Sequence, residues 1–120
     1  LFSNNPSANE LLLYADNISY DSNKNIIAKG NAKIIKDGEI ITSDLIIYNS
    51  QNKSITIPTE FIYRDSINNY YLGSSGKFDS DINNGEIENV KILLNDGTRI
   101  VGKKVIRRDK IDIINKGVYS

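Results

Sequence analysis

Asp16 and Asp44 are the carboxylates placed most regularly in the chain, because each opens an Asp-x-Ile-x-Tyr stretch: Asp16-Asn17-Ile18-Ser19-Tyr20 and Asp44-Leu45-Ile46-Ile47-Tyr48. Two carboxylates divide acid and base work when their surroundings push their pKa values apart. Here both sit in one repeated context, on the apolar parity of a strand-like stretch. A carboxylate there is expected to accept backbone or hydroxyl hydrogen bonds at a strand start. Gly73-Ser74-Ser75-Gly76-Lys77 has part of a phosphate loop, but Tyr71 stands where the first glycine belongs and Phe78 where the hydroxyl does. Asp79-x-Asp81-x-Asn83 begins like a calcium loop, yet its glycine is Gly85, one place late, and Val90 stands in place of the closing glutamate. Histidine and cysteine are absent, which removes the commonest general base, thiolate ligands and disulfides. No spacing supports a Ser/Lys or Asp/Glu catalytic site, so the expectation is a non-enzyme without metal or cofactor.

The elements that would position such residues are short strands. Asp16-Ile18-Tyr20 and Ile40-Thr42-Asp44-Ile46-Tyr48 each keep one parity, the period of a strand with one buried face. Asp37-Gly38, Asn84-Gly85 and Asp96-Gly97 lie between β-branched runs and are read as tight turns needing positive φ. Asp21–Asn25 and Asn49–Lys53 are matching polar turns, and Pro58 marks an edge, bulge or corner, since proline cannot donate to a ladder. No window carries a helical apolar stripe. The chain also repeats at about 28 residues. Asp16, Ile18 and Tyr20 return as Asp44, Ile46 and Tyr48; Ile27, Ile34 and Asp37 return as Ile55, Ile62 and Asp65; Asn31-Ala32-Lys33-Ile34-Ile35 reads again as Asn89-Val90-Lys91-Ile92-Leu93. A unit that cannot bury its own apolar face must stack on its copies. The reading is therefore all-β: antiparallel, roughly ten to twelve short strands, two facing sheets with a continuous inner surface.

At 120 residues this is one domain, with a polar leader over 1–9 and the folded unit over 10–120. Fifteen basic residues balance fifteen acidic ones, so nothing draws the chain globally to nucleic acid. No apolar run approaches the roughly 18 residues of a membrane-spanning helix. A first residue Leu1 is expected to mark an excised fragment or a processed chain.

Three stretches together, Ala15-Asp16-x-Ile18-x-Tyr20-Asp21, Ile26-x-Ala28-x-Gly30-Asn31-Ala32-x-Ile34 and Ile41-x-Ser43-Asp44-x-Ile46-x-Tyr48, resemble the repeat of the OstA-like (LptA/LptC/LptD) lipopolysaccharide-transport family. Glu88-Asn89-Val90-Lys91-Ile92-Leu93-Leu94-Asn95-Asp96-Gly97-Thr98-Arg99-Ile100, with Arg107-Arg108 and Gly117-Val118-Tyr119-Ser120, is most similar to the N-terminal periplasmic domain of the LptD branch. Ile57-Pro58-Thr59-Glu60 departs from the family's Gly-Asn-Val-like element at that point. The resemblance implies a twisted, open β-jelly roll in the periplasm of a Gram-negative bacterium, whose apolar groove carries the lipid A acyl chains of lipopolysaccharide. It also implies an LptA-like bridge protein as partner through edge-strand addition. Beyond this domain it implies a C-terminal outer-membrane barrel with its plug lipoprotein.

On that reading Ile18, Tyr20, Ile34, Ile46, Tyr48, Ile55, Phe61, Phe78, Val90, Ile92 and Leu94 line the groove, although the same side chains could equally fill a closed core. Leu11, Leu12, Leu13 and Tyr14 form either the partner's edge or the first core strand. Lys103, Lys104, Arg107 and Arg108, with Lys110, are either rim contacts to lipid phosphates or a solvated strand face that discourages aggregation. Two other readings remain: a free-standing bridge protein, and a structural β-solenoid repeat with a closed core.

Overall fold

The computed structural model describes residues 10–116; the expected leader at 1–9 and the Gly117–Ser120 stretch lie outside the described residues. Eleven strands form one antiparallel sheet: β1 (Leu12–Tyr14), β2 (Asn17–Tyr20), β3 (Asn25–Lys36), β4 (Glu39–Asn49), β5 (Ser54–Ile57), β6 (Phe61–Arg64), β7 (Tyr70–Gly73), β8 (Ser75–Asp79), β9 (Gly85–Leu93), β10 (Arg99–Arg108) and β11 (Ile111–Asn115). Taken as passes, β1 with β2, then β3, β4, β5 with β6, β7 with β8, β9, β10 and β11 each lie beside the next. The chain is thus a meander of eight passes, all-β and antiparallel as its alternation implies.

Each pass bends at its middle, and the bends fold the sheet onto itself. Tyr71 pairs with Ile92 and Arg107 with Gly85. A straight β9 would hold Ile92 and Gly85 roughly 23 Å apart at about 3.3 Å per residue. Instead Arg107 Nη2 donates to Tyr71 Oη at 3.1 Å. One half-sheet contains β1, the second half of β3, the first half of β4, β6, β7, and the adjoining ends of β9 and β10; the other contains β2, β5, β8, β11 and the remaining halves.

The bends have a sequence cause. Gly30 (φ 81) and Asn31 (φ 47) form a bulge where the β3–β4 register shifts, and Asn89 (φ 49) takes the same left-handed conformation in β9. Glycine and asparagine are the residues that tolerate it. The two stretches matched in sequence are matched in space: after Asn31 the inward residues are Ala32 and Ile34, and after Asn89 they are Val90 and Ile92, all buried. Pro58–Glu60 supplies the bend between β5 and β6, with Ile57 and Phe61 buried on either side of it. A short polar ladder follows the bend line: Asn31 Nδ2 donates to Asp16 Oδ2 at 3.0 Å, Ser43 Oγ to the Glu60 carbonyl at 2.8 Å, and Asn89 Nδ2 to Ser74 Oγ at 3.1 Å.

Two sequence expectations are corrected here. The single parity across Ile40–Tyr48 breaks at Ser43-Asp44, so Ile41 and Ile46 face inward while Ile40, Thr42 and Asp44 do not. A bend that adds one residue reverses every side chain beyond it. For the same reason the second set of matched residues slips: Ile34 is buried, but Ile62 is exposed and Tyr63 takes the inward place. Among the turns, Asp37 and Gly38 both have positive φ, as a two-residue hairpin requires. At Asn84-Gly85 the tight turn is absent; Gly85 begins β9, and the positive φ belongs to Ile82.

Candidate functional site

The inner face is one apolar surface running from pass to pass. Cross-strand register carries it: Ile34 opposite Ile41, Ile41 opposite Tyr63, Tyr63 opposite Tyr71, Tyr71 opposite Ile92 in one half-sheet, and Ala28, Ile46, Ile55, Phe78 and Ile87 in the other. Aromatic rings fill the middle. Phe61 meets Phe78 edge-on at 6.1 Å, and Tyr63 stacks on Tyr71 at 5.0 Å. The space beneath Phe61 exists because Gly73 and Gly76 lack side chains; a Cβ on either would lie under 3 Å from the ring.

Of the eleven expected lining residues, Ile34, Ile46, Ile55, Phe61, Phe78, Val90 and Ile92 are buried on this face, while Tyr48 and Leu94 pack against it partly exposed. Ile18 and Tyr20 share the face of Ala28 and Ile26, their register partners, but among the described residues β2 is an edge with no strand beyond it, and they stand 43% and 77% exposed. Ile41, Ile57, Tyr63, Tyr71, Ile87 and Val105 belong to the interior and were not in the expected set. Their signal, alternation restarted after each bend, is visible only once the bends are known.

Leu11 and Leu13 pack on the core, whereas Tyr14 is exposed; among the described residues β1 pairs with β3 alone and is an edge strand whose inward residues also belong to the core. One depression lies along the bends, a hollow of about 590 Å³ lined by Asn31, Ser43, Asp44, Glu60 and Leu72; another, of about 290 Å³, lies at the free ends and is lined by Glu39, Tyr63, Tyr71, Arg107, Lys110 and Asp112.

The basic run does not form a cluster. Lys104 faces Glu86 and Glu88 at 3.5 Å each, Lys103 and Arg108 are exposed, and Lys110 Nζ donates to Glu39 Oε2 at 3.1 Å. Arg107, expected at a rim or on a solvated face, is 5% exposed and points inward. The bend near Lys103 is the reason: beyond it odd-numbered residues turn to the core, so Val105 and Arg107 are buried.

Arg107 makes the centre of a clasp across the free ends of the two half-sheets. Its Nε donates to Asp112 Oδ1 at 2.7 Å and its Nη2 to Asp112 Oδ2 at 3.0 Å, a bidentate pair. Nη1 donates to Tyr63 Oη at 2.7 Å and to the Ile82 carbonyl at 3.3 Å, and the guanidinium lies against both stacked tyrosine rings. Tyr71 Oη donates to Asp112 at 2.6 Å. Burial disfavours the charged guanidinium, but hydrogen bonds to Asp112 and Tyr63 outweigh it and hold Arg107 protonated. Burial also pushes both phenols well above their ordinary range, helped at Tyr71 by Asp112. Beside this group Lys36 reaches Asp81 at 3.4 Å, again from one half-sheet to the other. Asp16, meanwhile, accepts from the Asn31 amide at the bend, and Asp44 is exposed.

This arrangement can shelter apolar material and exclude water. Neither a protein-family model nor any curated protein sequence matches the chain. Among solved structures the fold is similar to that of LptH from Pseudomonas aeruginosa, described as the LptA homologous periplasmic component of the conserved lipopolysaccharide transport device. The TM-score is 0.73 at 14% sequence identity, over 91% of this chain and 82% of that one. The likeness establishes the fold.

Proposed function

We propose that the chain is a periplasmic lipopolysaccharide-transport module that shields lipid A acyl chains between its two half-sheets while the sugars stay in water. The observation that carries this reading is the apolar inner face, which runs beside the Arg107 clasp to the sheet edges and leaves Ile18 and Tyr20 uncovered at one of them. A closed structural core has no reason to expose its own lining there. The shared architecture with a component of a lipopolysaccharide transport device supports it. Within that class, the resemblance of Glu88–Ile100 and Gly117–Ser120 favours the N-terminal domain of an LptD-like protein. Its partners would be an LptA-like bridge protein and its own outer-membrane barrel with the plug lipoprotein. On this reading the movement is passive, and its drive comes from elsewhere in the assembly.

The test places a photo-crosslinking residue at Ile46, which is buried on the inner face, and at Ile47, its outward neighbour, in cells making lipopolysaccharide. An adduct at Ile46 with none at Ile47 is expected. Adducts at neither position, from folded and expressed protein, would leave the closed repeat domain as the better reading.

A further inference from the structure

Two five-residue turns of this chain, Asp21–Asn25 and Asp65–Asn69, are built alike, and a third, from Asp79 to Asn84, follows the same plan with one residue more. In each, an aspartate is followed by serine, and its carboxylate caps the turn. Asp21 accepts from Asn23 N and Asn25 N, Asp65 from Ile67 N and Asn69 N, Asp79 from Asn83 N and Asn84 N. In each the third residue after the aspartate has left-handed φ: Lys24 (69), Asn68 (66) and Ile82 (57). Lys24 and Asn68 are exposed. Asparagine suits this conformation and lysine accepts it, but a β-branched side chain there is a true outlier. The two shorter turns hold polar residues at this position, and only the longer one holds an isoleucine. Ile82 is nevertheless fully buried, although Asp81 beside it is exposed.

The place that Ile82 fills is the free side of the folded sheet, opposite the bends. Its base is fixed on its own half-sheet: Ser80 N donates to the Lys53 carbonyl at 2.9 Å, and Asp109 N to Asn84 Oδ1 at 3.1 Å. The ties to the side chains that hold the tip are different in kind. Lys36, from the opposite half-sheet, pairs with Asp81 at 3.4 Å, and Arg107 reaches the Ile82 carbonyl at 3.3 Å, longer than its bonds to Tyr63 and Asp112. A strained residue kept in place by burial, on a turn whose base is fixed and whose tip is held by long polar contacts, has the properties of a removable plug.

We propose that Ile82 is a stopper: the Ser80–Asn83 turn keeps the isoleucine where one acyl chain of the cargo lies, and cargo entry swings that turn outward. This rests on the lipid-carrying reading above. Without cargo the interior stays dry because Ile82 fills it; with cargo the acyl chain replaces the isoleucine and the backbone strain is released.

The chain has no cysteine, so nitroxide labels at Ser66→Cys and Asn83→Cys report the separation of the two half-sheet ends by pulsed electron resonance. Neither side chain takes part in the contacts that hold the turn. Purified lipid A is the probe, and its binding is measured in parallel by displacement of a fluorescent fatty acid. Lipid A is expected to shift the label separation to a longer population in the otherwise native sequence. Ile82→Asn, which copies Asn68 of the sister turn, is expected to populate that longer separation without lipid and to bind lipid A several-fold more tightly. If lipid A binds while the separation stays fixed and Ile82→Asn binds no better, Ile82 is an ordinary core residue and the carrier reading survives without the stopper. If lipid A binds neither protein, the carrier reading fails and the stopper falls with it.

Discussion

At the scale of single residues, the most informative group is the one that sequence reasoning misplaced. Arg107 stands in a run of five basic residues, and local composition makes such a run look solvated; only the bend near Lys103 turns it inward. Asp16 was legible in part: an acceptor at a strand start was expected, with backbone or hydroxyl donors, and its donor is the Asn31 side-chain amide. Burial around Arg107 gives a pH prediction. Tyr63 and Tyr71 have folded-state pKa values raised above the ordinary value of 10.0. Above that value the unfolded chain loses phenolic protons that the folded chain keeps, so the unfolded state binds fewer protons and stability falls as pH rises. Below it the contribution is fully present. An alkaline titration followed by tyrosinate absorbance, compared with that of a chain carrying Tyr63→Phe and Tyr71→Phe, should therefore show these two phenols silent at pH 10 and appearing together with loss of circular dichroism. Their ionisation near pH 10, with the fold intact, would mean the clasp is open to water.

At the scale of elements, the strands were legible and their inward faces only in part. Alternation names a strand, but which parity is buried resets wherever a bend adds a residue, and a bend reads as little more than Gly-Asn, Ser-Asp or Pro-Thr-Glu. This is why Ile46 was found and Ile41 was missed within one strand. The bend in β3 can be tested against a matched control. Gly30 and Gly97 both have left-handed φ, 81 and 93. A Cβ on Gly97 meets nothing within 4 Å, whereas one on Gly30 comes 2.9 Å from Asp16 Oδ2. Gly97→Ala should then cost the backbone strain alone, roughly 1–2 kcal/mol. Gly30→Ala should cost about 1 kcal/mol more, as Asp16 loses its bond to Asn31. Urea unfolding of both variants measures the difference; equal costs would show that the Asp16–Asn31 contact does not hold the bend.

At the scale of the whole molecule, the repeat indicated stacking but not that the stack folds back on itself, since that depends on contacts between residues such as Tyr63 and Arg107, 44 positions apart. The result is a body with two unlike edges. Seven strand spacings of about 4.8 Å put them roughly 34 Å apart. Among the described residues one edge is β2, with Ile18 and Tyr20 exposed on the inner parity, and the other is β11, which pairs with β10. The meander runs antiparallel throughout, so β2 of one module set against β11 of the next would simply continue it, with the apolar faces in line. Unlike edges meeting head to tail form an open series rather than a closed pair. On the transport reading this is how a cargo groove would pass from module to module, by the unpaired backbone groups of edge strands. Cysteines at Ser19 of β2 and Ile113 of β11 test the geometry at high protein concentration. A mixture of Ser19→Cys and Ile113→Cys chains should cross-link as mixed dimers under oxidation, and the doubly substituted chain should give a ladder of oligomers. Cross-links formed only between identical variants would show instead that like edges meet. Stacking would then end at a dimer, and the inner face could not run on through a series of modules.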